Sequence, residues 1–254
     1  MSFKSSSELM GEAVTRARHH WKRRLEAKTV VETIGPALPP PAAFTVAISR
    51  QSGASGTTFA RRLGERLNWP VYDRELLQHI AAEAGLSEAL MESIDEKHLS
   101  WLQMMLQAFS KQNSVSSAAY VAHLVKVLLS LAAHGNCVLV GRGAVQVLPP
   151  ETTLRVRLVA PLAERVATVK NRFGVTGEEA ARRIATTDHD RDCFIRERFQ
   201  RDPADLANYD LVLNVARLSI EDCSDLVELG LKRLRDRAAA KQAAAPVPAV
   251  CGVG

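Results

Sequence analysis

Short apolar runs alternate with longer segments of helical periodicity through the middle of the chain. Five apolar runs are bounded by turn residues and are predicted to be buried strands, at residues 44–48, 69–72, 137–140, 154–159 and 211–213. Helically spaced apolar positions follow the first, fourth and last of these runs. Repetition of strand and helix is typical of a parallel sheet covered on both faces. The pattern therefore predicts an α/β fold.

The N-terminal segment, residues 1–34, differs from this pattern. Its apolar residues Val14, Ala17, Trp21 and Leu25 recur at helical spacing between arginines and lysines. The segment is therefore predicted to be a basic amphipathic helix. A solvated helix, or one docked on a protein partner, is favoured over a nucleic-acid-binding helix because few aromatic residues lie among the basic ones.

Proline and alanine content sets the remaining domain boundaries. The Pro-rich residues 35–43 cannot continue a helix and are predicted to form a stiff linker. One domain is expected over residues 44–237, and the Ala/Pro-rich residues 238–254 are expected to be disordered. Within the domain, residues 75–134 form a helical insertion much longer than a crossover needs, and such insertions usually carry a specificity region.

Composition agrees with a globular protein. The 254 residues are 46% hydrophobic and 24% charged, which is enough apolar material for one sizeable core. The formal net charge of +5 is concentrated in the N-terminal segment, so a nucleic-acid partner is not expected.

Cysteine spacing and hydropathy indicate the compartment. No CxxC pair is present, which argues against a zinc site or a disulfide framework and favours a reducing cytoplasm. The most apolar stretch, residues 117–133, is interrupted by His123 and Lys126, so no membrane span is expected. The cysteines are Cys137, Cys193, Cys223 and Cys251.

A loop of small residues at 49–58 follows the first predicted strand and precedes a helix. There, backbone N–H groups can approach a phosphate, and the helix N-terminus favours an anion. From local sequence alone a flexible turn is equally consistent, but the position after the first buried strand favours phosphate. The candidate phosphate-binding residues are Ser52, Gly53, Ala54, Ser55, Gly56, Thr57 and Thr58.

Five motifs, in this order along the chain, resemble the cytidylate kinase-like family of P-loop proteins. They are Ser-Arg-x-x-Gly-x-x-Gly at 49–56, Trp-Pro-Val-Tyr-Asp-Arg-Glu-Leu-Leu at 69–77, Gly-Leu-Ser-Glu at 85–88, Val-Gly-Arg at 140–142 and Asn-Tyr-Asp-Leu at 208–211. The resemblance covers about residues 44–234. It implies a P-loop kinase-type three-layer sandwich with a five-stranded parallel sheet, a helical acceptor-binding insertion and a mobile lid.

The same resemblance implies a reaction. Members of this branch transfer the γ-phosphoryl group of ATP, with Mg²⁺, to a nucleoside monophosphate, and CMP or dCMP is the leading acceptor here. Positioning and charge neutralisation dominate such chemistry, so arginines near the phosphates matter most. A P-loop protein that senses a nucleotide without transferring phosphate is the alternative.

The loop departs from the standard Walker pattern GxxxxGK[ST] by lacking its lysine. The lysine and hydroxyl slots fall on Gly56 and Thr57, or on Thr57 and Thr58. Arg50 at the loop entrance is the expected substitute for the lysine charge. Thr57 is the candidate hydroxyl ligand of Mg²⁺.

Asp73 and Arg74 follow the second predicted strand, at the sheet edge where α/β proteins bind ligands. Asp73 is a candidate for holding Mg²⁺ water or an acceptor hydroxyl, and Arg74 for holding an acceptor phosphate. The alternative for Asp73 is an N-cap of the helix that follows it.

Arg142 follows the third predicted strand between two glycines. By resemblance, it matches the arginine that grips the acceptor α-phosphate, and a guanidinium suits bidentate phosphate contact. Many cytidylate kinases carry an acid directly after this arginine, where this chain has Gly143.

The arginine-rich residues 162–201 resemble the lid. Most of these arginines are expected to form a solvated face paired with glutamates. Asp188 and Arg191 are singled out because the resemblance implies that they engage the transferring phosphoryl group. Asn214, at the end of the last strand, is the candidate adenine contact, with a polar strand terminator as the alternative.

Overall fold

The computed structural model describes residues 6–33, 43–94, 103 and 118–243. Five strands form one parallel sheet in the order β2-β3-β1-β4-β5. The strands are β1 (Thr45–Arg50), β2 (Val71–Tyr72), β3 (Cys137–Val140), β4 (Thr153–Val159) and β5 (Leu211–Asn214). The predicted α/β fold with a five-stranded parallel sheet is confirmed.

Helices connect the strands and cover both faces of the sheet. They are α1 (Ser6–Thr33), α2 (Gly56–Leu67), α3 (Arg74–Ala82), α4 (Ala84–Glu92), α5 (Ala118–His134), α6 (Ala144–Val147), α7 (Leu162–Phe173), α8 (Gly177–Phe199) and α9 (Ile220–Ala243). The predicted helical insertion contains α3, α4 and α5, and its residues 95–102 and 104–117 lie outside the described set.

Alternation of side chains along the strands divides the core into two layers. Ala47 and Leu139 pack into a cluster with α1, α3, α4 and α5. Val46, Ile48 and Val138 point to the other face and pack with α2 and α9. Because successive strand residues face opposite sides, the apolar runs are buried on both faces, which produces three layers.

The second strand is shorter than predicted. Asn68 adopts a left-handed conformation (φ 53°) and ends α2, and the N–H of Trp69 donates to the carbonyl of Gly64 at 2.8 Å. Trp69 thus belongs to the helix C-cap, and Pro70 has no N–H to give to a sheet. The strand predicted over 69–72 is therefore restricted to Val71–Tyr72.

The predicted N-terminal helix is present as α1, and its apolar side packs on the domain. Ala17 and Trp21 are buried at 1% and 2% exposure in the same cluster as Tyr72. The Trp21 Nε1–H donates to the Tyr72 hydroxyl at 3.0 Å. The side chain of Leu25 lies outside the described set. The helix therefore shares its core with β2 and α3.

The C-terminal helix is longer than expected. It continues to Ala243, and Ala238 packs against the apolar cluster beneath α9. The prediction of disorder from residue 238 is wrong for residues 238–243, because alanine has the highest helix propensity and this segment extends a packed helix. Residues 244–254 and, apart from Ala43, the predicted linker at 35–43 lie outside the described set.

Two structural features are absent from the part of the chain that the structure describes. There, no helix combines the length and apolar character needed to cross a bilayer. Nor do three or more His, Cys, Asp or Glu side chains converge there as a metal-ion cage. Cys137, Cys193 and Cys223 form no disulfide bond among the described residues, and Cys251 lies outside them.

Candidate active site

Arginines converge at the carboxyl edge of the sheet. Parallel strands end at the same edge, which brings together side chains that are distant in sequence. Residues at these strand ends and on α8 line a cavity of about 280 Å³, here called the smaller cavity. Its arginines are Arg50 at the end of β1, Arg74 after β2, Arg142 after β3, Arg157 in β4 and Arg191 in α8. They outnumber the three aspartates of its wall, Asp188, Asp190 and Asp192.

A larger cavity of about 810 Å³ lies between the phosphate loop, α7 and α8. Six of the seven predicted phosphate-binding residues line it: Ser52, Gly53, Ser55, Gly56, Thr57 and Thr58. Ala54 instead is buried beneath the loop at 1% exposure. Arg50 and Arg191 line both cavities. Gln51 and Thr187 also line both, so the two cavities adjoin at these four residues.

The phosphate loop, residues 49–58, has the backbone of an anion cradle. Gly53 has a φ of +82°, and a Cβ at this position would lie 2.7 Å from the carbonyl oxygen of Arg165. Ser55 is also left-handed (φ 51°) and makes no side-chain capping bond to α2. The first N–H groups of α2 are thus left for an anion in the larger cavity.

The Arg50 side chain lies beside Gly56, one of the two possible positions of the missing lysine. A Cβ on Gly56 would lie 2.6 Å from the Arg50 Cγ. The guanidinium then reaches Gly141, where a Cβ would collide with Nη1. A side chain at position 56 and the arginine at position 50 therefore exclude each other. This geometry is what the predicted substitution of Arg50 for the lysine charge requires.

Burial and mutual repulsion act on these guanidinium groups. Burial, followed by the charges of Arg191 and Arg74, lowers the pKa of Arg50 to about 10, and Asp73 opposes the shift. Burial also lowers the pKa of Arg142 and of Arg191. All three stay cationic near neutral pH, so their positive charge is held at a cost in free energy that a bound anion offsets.

Arg142 has an unmet need for a hydrogen-bond acceptor. Its backbone is left-handed (φ 52°), and its guanidinium lies 5.3 Å from the centre of the Phe194 ring. Its Nε is buried and has no hydrogen-bond partner among the described residues. Since a buried charged donor without a partner is costly, an anionic ligand in the smaller cavity fits this site.

The structure explains the glycine that follows Arg142. Gly143 has a φ of +78°, and a Cβ there would collide with Cε2 and lie 2.5 Å from Cζ of the Phe199 ring. The acid found here in many cytidylate kinases thus has no room in this chain.

Asp73 uses the capping arrangement that the sequence left as an alternative. Its Oδ1 accepts from the N–H of Leu76 at 3.0 Å and caps α3. Asp73 lines neither cavity, whereas Arg74 lines the smaller one and the exposed Thr57 the larger one. Of the two predicted Mg²⁺ ligands, the Thr57 hydroxyl fits an ion bound to phosphates in the cradle. A metal role for Asp73 stays a prediction.

The predicted pair on α8 contacts the main chain of the phosphate loop. Asp188 Oδ1 accepts from the N–H of Ser52 at 2.7 Å, and Arg191 Nη1 donates to the carbonyl of Arg50 at 3.3 Å. Asn214 lies apart from this group: its Oδ1 accepts from the N–H of Ala216, and it lines neither cavity.

Arg157 is a site residue that the motifs did not reveal. Its Nη1 donates to Ser49 Oγ at 2.8 Å and to the Tyr209 hydroxyl at 3.1 Å. The signal in the sequence is a charged residue inside an otherwise buried strand, which is costly unless partners or a ligand await it.

Comparisons with known proteins agree with this architecture. The sequence profile of the cytidylate kinase-like family matches residues 45–217. A cytidylate kinase of Methanopyrus kandleri is 28% identical over 202 residues, 76% of this chain and 95% of that protein. A uronate isomerase of Corynebacterium glutamicum is 24% identical over 183 residues, 69% of this chain but 35% of that protein.

Among solved structures, an uncharacterized protein of Eubacterium ventriosum is similar with a TM-score of 0.53. It is 18% identical, and the match covers 74% of this chain and 98% of that one, which shows a shared fold alone. The family profile extends from β1 through β5 and so includes the phosphate loop, Arg142 and α8. Because it matches more than half of the residues, the chain belongs to the cytidylate kinase-like family.

Proposed function

We propose that the protein is an ATP-dependent kinase that phosphorylates a nucleoside monophosphate, with CMP or dCMP as the leading acceptor. The observation that carries the proposal is the junction of two cavities at Arg50 and Arg191. Transfer of a phosphoryl group from ATP to a nucleoside monophosphate needs the two phosphate groups held end to end, with positive charge where they meet. Family membership and the cytidylate kinase relative support the same reaction.

The larger cavity holds the donor. The N–H groups at the start of α2 bind the phosphate tail of ATP, and Thr57 lies where a hydroxyl can hold Mg²⁺. Mg²⁺ neutralises phosphate charge when bound. Arg172 and Arg183 on the opposite wall add positive charge along the nucleotide.

The smaller cavity holds the acceptor. Arg74, Arg142 and Arg157 provide guanidinium groups for its phosphate, and the unpartnered Nε of Arg142 gains an acceptor when that phosphate binds. Phe194 and Ile195 provide an apolar wall beside the nucleoside.

Arg50 and Arg191 act at the junction. An oxygen of the acceptor phosphate forms a bond to the γ-phosphorus as the bond to the β,γ-bridging oxygen breaks, and the products are ADP and a nucleoside diphosphate. Charge on the transferring group is stabilised by the two preorganised guanidinium groups, without a protein nucleophile.

The test is ADP release with a panel of acceptors. CMP, dCMP, UMP and AMP are compared with a control that lacks an acceptor, at fixed Mg·ATP. The proposal expects acceptor-dependent ADP release that is fastest with CMP or dCMP. Faster release with UMP or AMP would overturn the assignment of CMP or dCMP as acceptor but not the proposed reaction. The absence of acceptor-dependent ADP release would overturn the assignment as a kinase.

A nucleotide sensor without transfer remains the second candidate, because Gly56 occupies a possible lysine slot of the loop. Calorimetric titration with Mg·ATP separates the two functions. Binding without acceptor-dependent turnover identifies the sensor. No binding of Mg·ATP excludes both functions.

A further inference from the structure

Arg165, in the first turn of α7, joins three parts of the molecule. Its Nε donates to the carbonyl of Ala160 at 3.1 Å, between β4 and α7. Its Nη1 donates to the carbonyl of Ser52 at 3.3 Å and to Asp188 Oδ2 at 2.7 Å. The side chain is only 11% exposed and lines neither cavity. A substrate-binding role therefore does not account for it.

Arg165 and Asp188 together hold both main-chain groups of one loop residue. Asp188 accepts the N–H of Ser52, and Arg165 donates to the carbonyl of Ser52. Charge-assisted hydrogen bonds of this kind are stronger than neutral ones. The next residue, Gly53, lies directly against the main chain of Arg165, where a Cβ would meet the carbonyl oxygen at 2.7 Å. The loop thus lies on α7 and is fastened there.

The contact uses one N–H group of the phosphate loop and leaves those at the start of α2 available to an anion. Asp188 binds the N–H of Ser52, upstream of the uncapped start of α2 at Gly56. A carboxylate that blocked the cradle would instead accept from the first N–H groups of α2. One turn along α8, Arg191 lies 3.6 Å from Asp188 and donates to the carbonyl of Arg50. The same contact therefore also fixes the lateral position of Arg191.

We propose that Arg165 and Asp188, together the loop brace, are positioning residues that hold the phosphate loop and Arg191 in the arrangement needed for the donor phosphates. The inference rests on the proposed function for its purpose, and it replaces direct contact of Asp188 with the phosphoryl group. Supporting contacts of this kind preorganise the groups that bind a ligand. The brace sets donor affinity without contacting the donor.

The test compares Arg165→Ala, Asp188→Ala and the double variant with wild type. The matched control is Arg196→Ala. Arg196 lies on α8, as Asp188 does, and forms an exposed ion pair with Asp202. Calorimetry measures Mg·ATP affinity, and hydrogen exchange follows residues 49–58 in the ligand-free protein. Each single variant is expected to weaken Mg·ATP binding by about ten-fold or more. The double variant is expected to be no weaker than the singles, because the two residues act as one unit.

Exchange and kinetics distinguish the brace from other roles. Loop exchange should accelerate in each brace variant and stay at the wild-type rate in Arg196→Ala. The KM for ATP should rise more than the KM for the acceptor, and Arg165→Lys should recover part of the loss by keeping the charge. If the alanine variants fail to fold, Arg165→Lys and Asp188→Asn decide by the same measurements.

Three results together would overturn the brace: unchanged loop exchange and unchanged Mg·ATP affinity in Arg165→Ala, with turnover lost in Asp188→Ala. That outcome would place Asp188 in direct contact with substrate. If the wild-type protein does not bind Mg·ATP, the proposed function fails, and loop exchange alone then supports or refutes the brace.

Discussion

In the proposed function, the charge of Arg50 serves binding at the expense of stability. Its pKa is lowered by burial and by the neighbouring arginines, so the folded protein would be more stable without this charge. Arg50→Met keeps the methylene stem against Gly56 and removes the guanidinium. We expect ligand-free stability to rise by about 1 kcal/mol and acceptor-dependent turnover to be lost. Urea denaturation and the ADP-release assay measure the two effects.

The control for this prediction is Arg233→Met. Arg233 is 69% exposed and forms only a long pair with Asp236. It should change neither stability nor turnover appreciably. A destabilised Arg50→Met protein, or one with wild-type turnover, would contradict the assigned role.

Gly56 and Arg50 should show reciprocal behaviour. Since a side chain at position 56 overlaps the Arg50 stem, Gly56→Lys alone should lower both stability and Mg·ATP affinity. Combining it with Arg50→Ala removes the contacts with Cγ and Cδ, leaves the one with Cβ at 3.0 Å, and returns a lysine charge to the loop. The double variant is therefore expected to bind Mg·ATP more tightly than either single variant, as measured by calorimetry. Additive losses would mean that the two positions do not share one space.

At the scale of elements, the start of α3 tests Asp73. Asparagine caps helices about as well as aspartate, whereas Asp73→Ala should cost about 1 kcal/mol in the free energy of unfolding. Asp73→Asn is thus expected to preserve stability and, if capping is the whole role, the Mg²⁺ dependence of turnover. A large rise in the Mg²⁺ concentration needed for half-maximal turnover would assign the carboxylate to the metal instead.

The apolar pattern predicted most of the elements, but it does not reveal the turns that end them. The third strand lies at its predicted residues because a run of four apolar residues between two turns is too short to form a helix instead. The second strand was predicted too long because the helix C-cap at Asn68 and Trp69 depends on a left-handed turn that apolar runs do not reveal.

The site divides in the same way. Motifs located Arg50, Arg142 and Arg191, which follow strand ends or lie in a recognisable lid segment. Arg155 and Arg157 look alike in sequence, yet Arg155 pairs with Asp210 while Arg157 reaches Ser49 and enters the smaller cavity. Which neighbour each one meets is set by the pairing of β4 with β1 and β5, and no local pattern contains that information.

For the whole molecule, α1 is expected to contribute to the stability of the site. Trp21→Ala removes a buried indole and its hydrogen bond to Tyr72, which directly precedes Asp73 and Arg74. We expect a loss of about 3–5 kcal/mol in the free energy of unfolding, measured by urea denaturation. Trp21→Phe keeps most of the apolar contact and should lose only about 1 kcal/mol.

Removal of residues 1–43 should lower the free energy of unfolding at least as much as Trp21→Ala, because it exposes the whole surface of the domain that α1 covers. A truncated protein with wild-type stability would show that this helix is dispensable. The control for both changes is Leu9→Ala. Leu9 is 53% exposed on the same helix, so its substitution should change stability little.

The backbone conformation after β3 favours different residues at position 142 for protein yield and for turnover. Gly141, Arg142 and Gly143 are three consecutive left-handed residues, a conformation that glycine and asparagine tolerate far better than arginine. In a saturation library at position 142, those two amino acids would relax the chain and accumulate to higher cellular levels, yet neither carries a guanidinium. Selection for expression alone would thus eliminate the arginine to which we assign phosphate binding, and only selection for turnover would retain it.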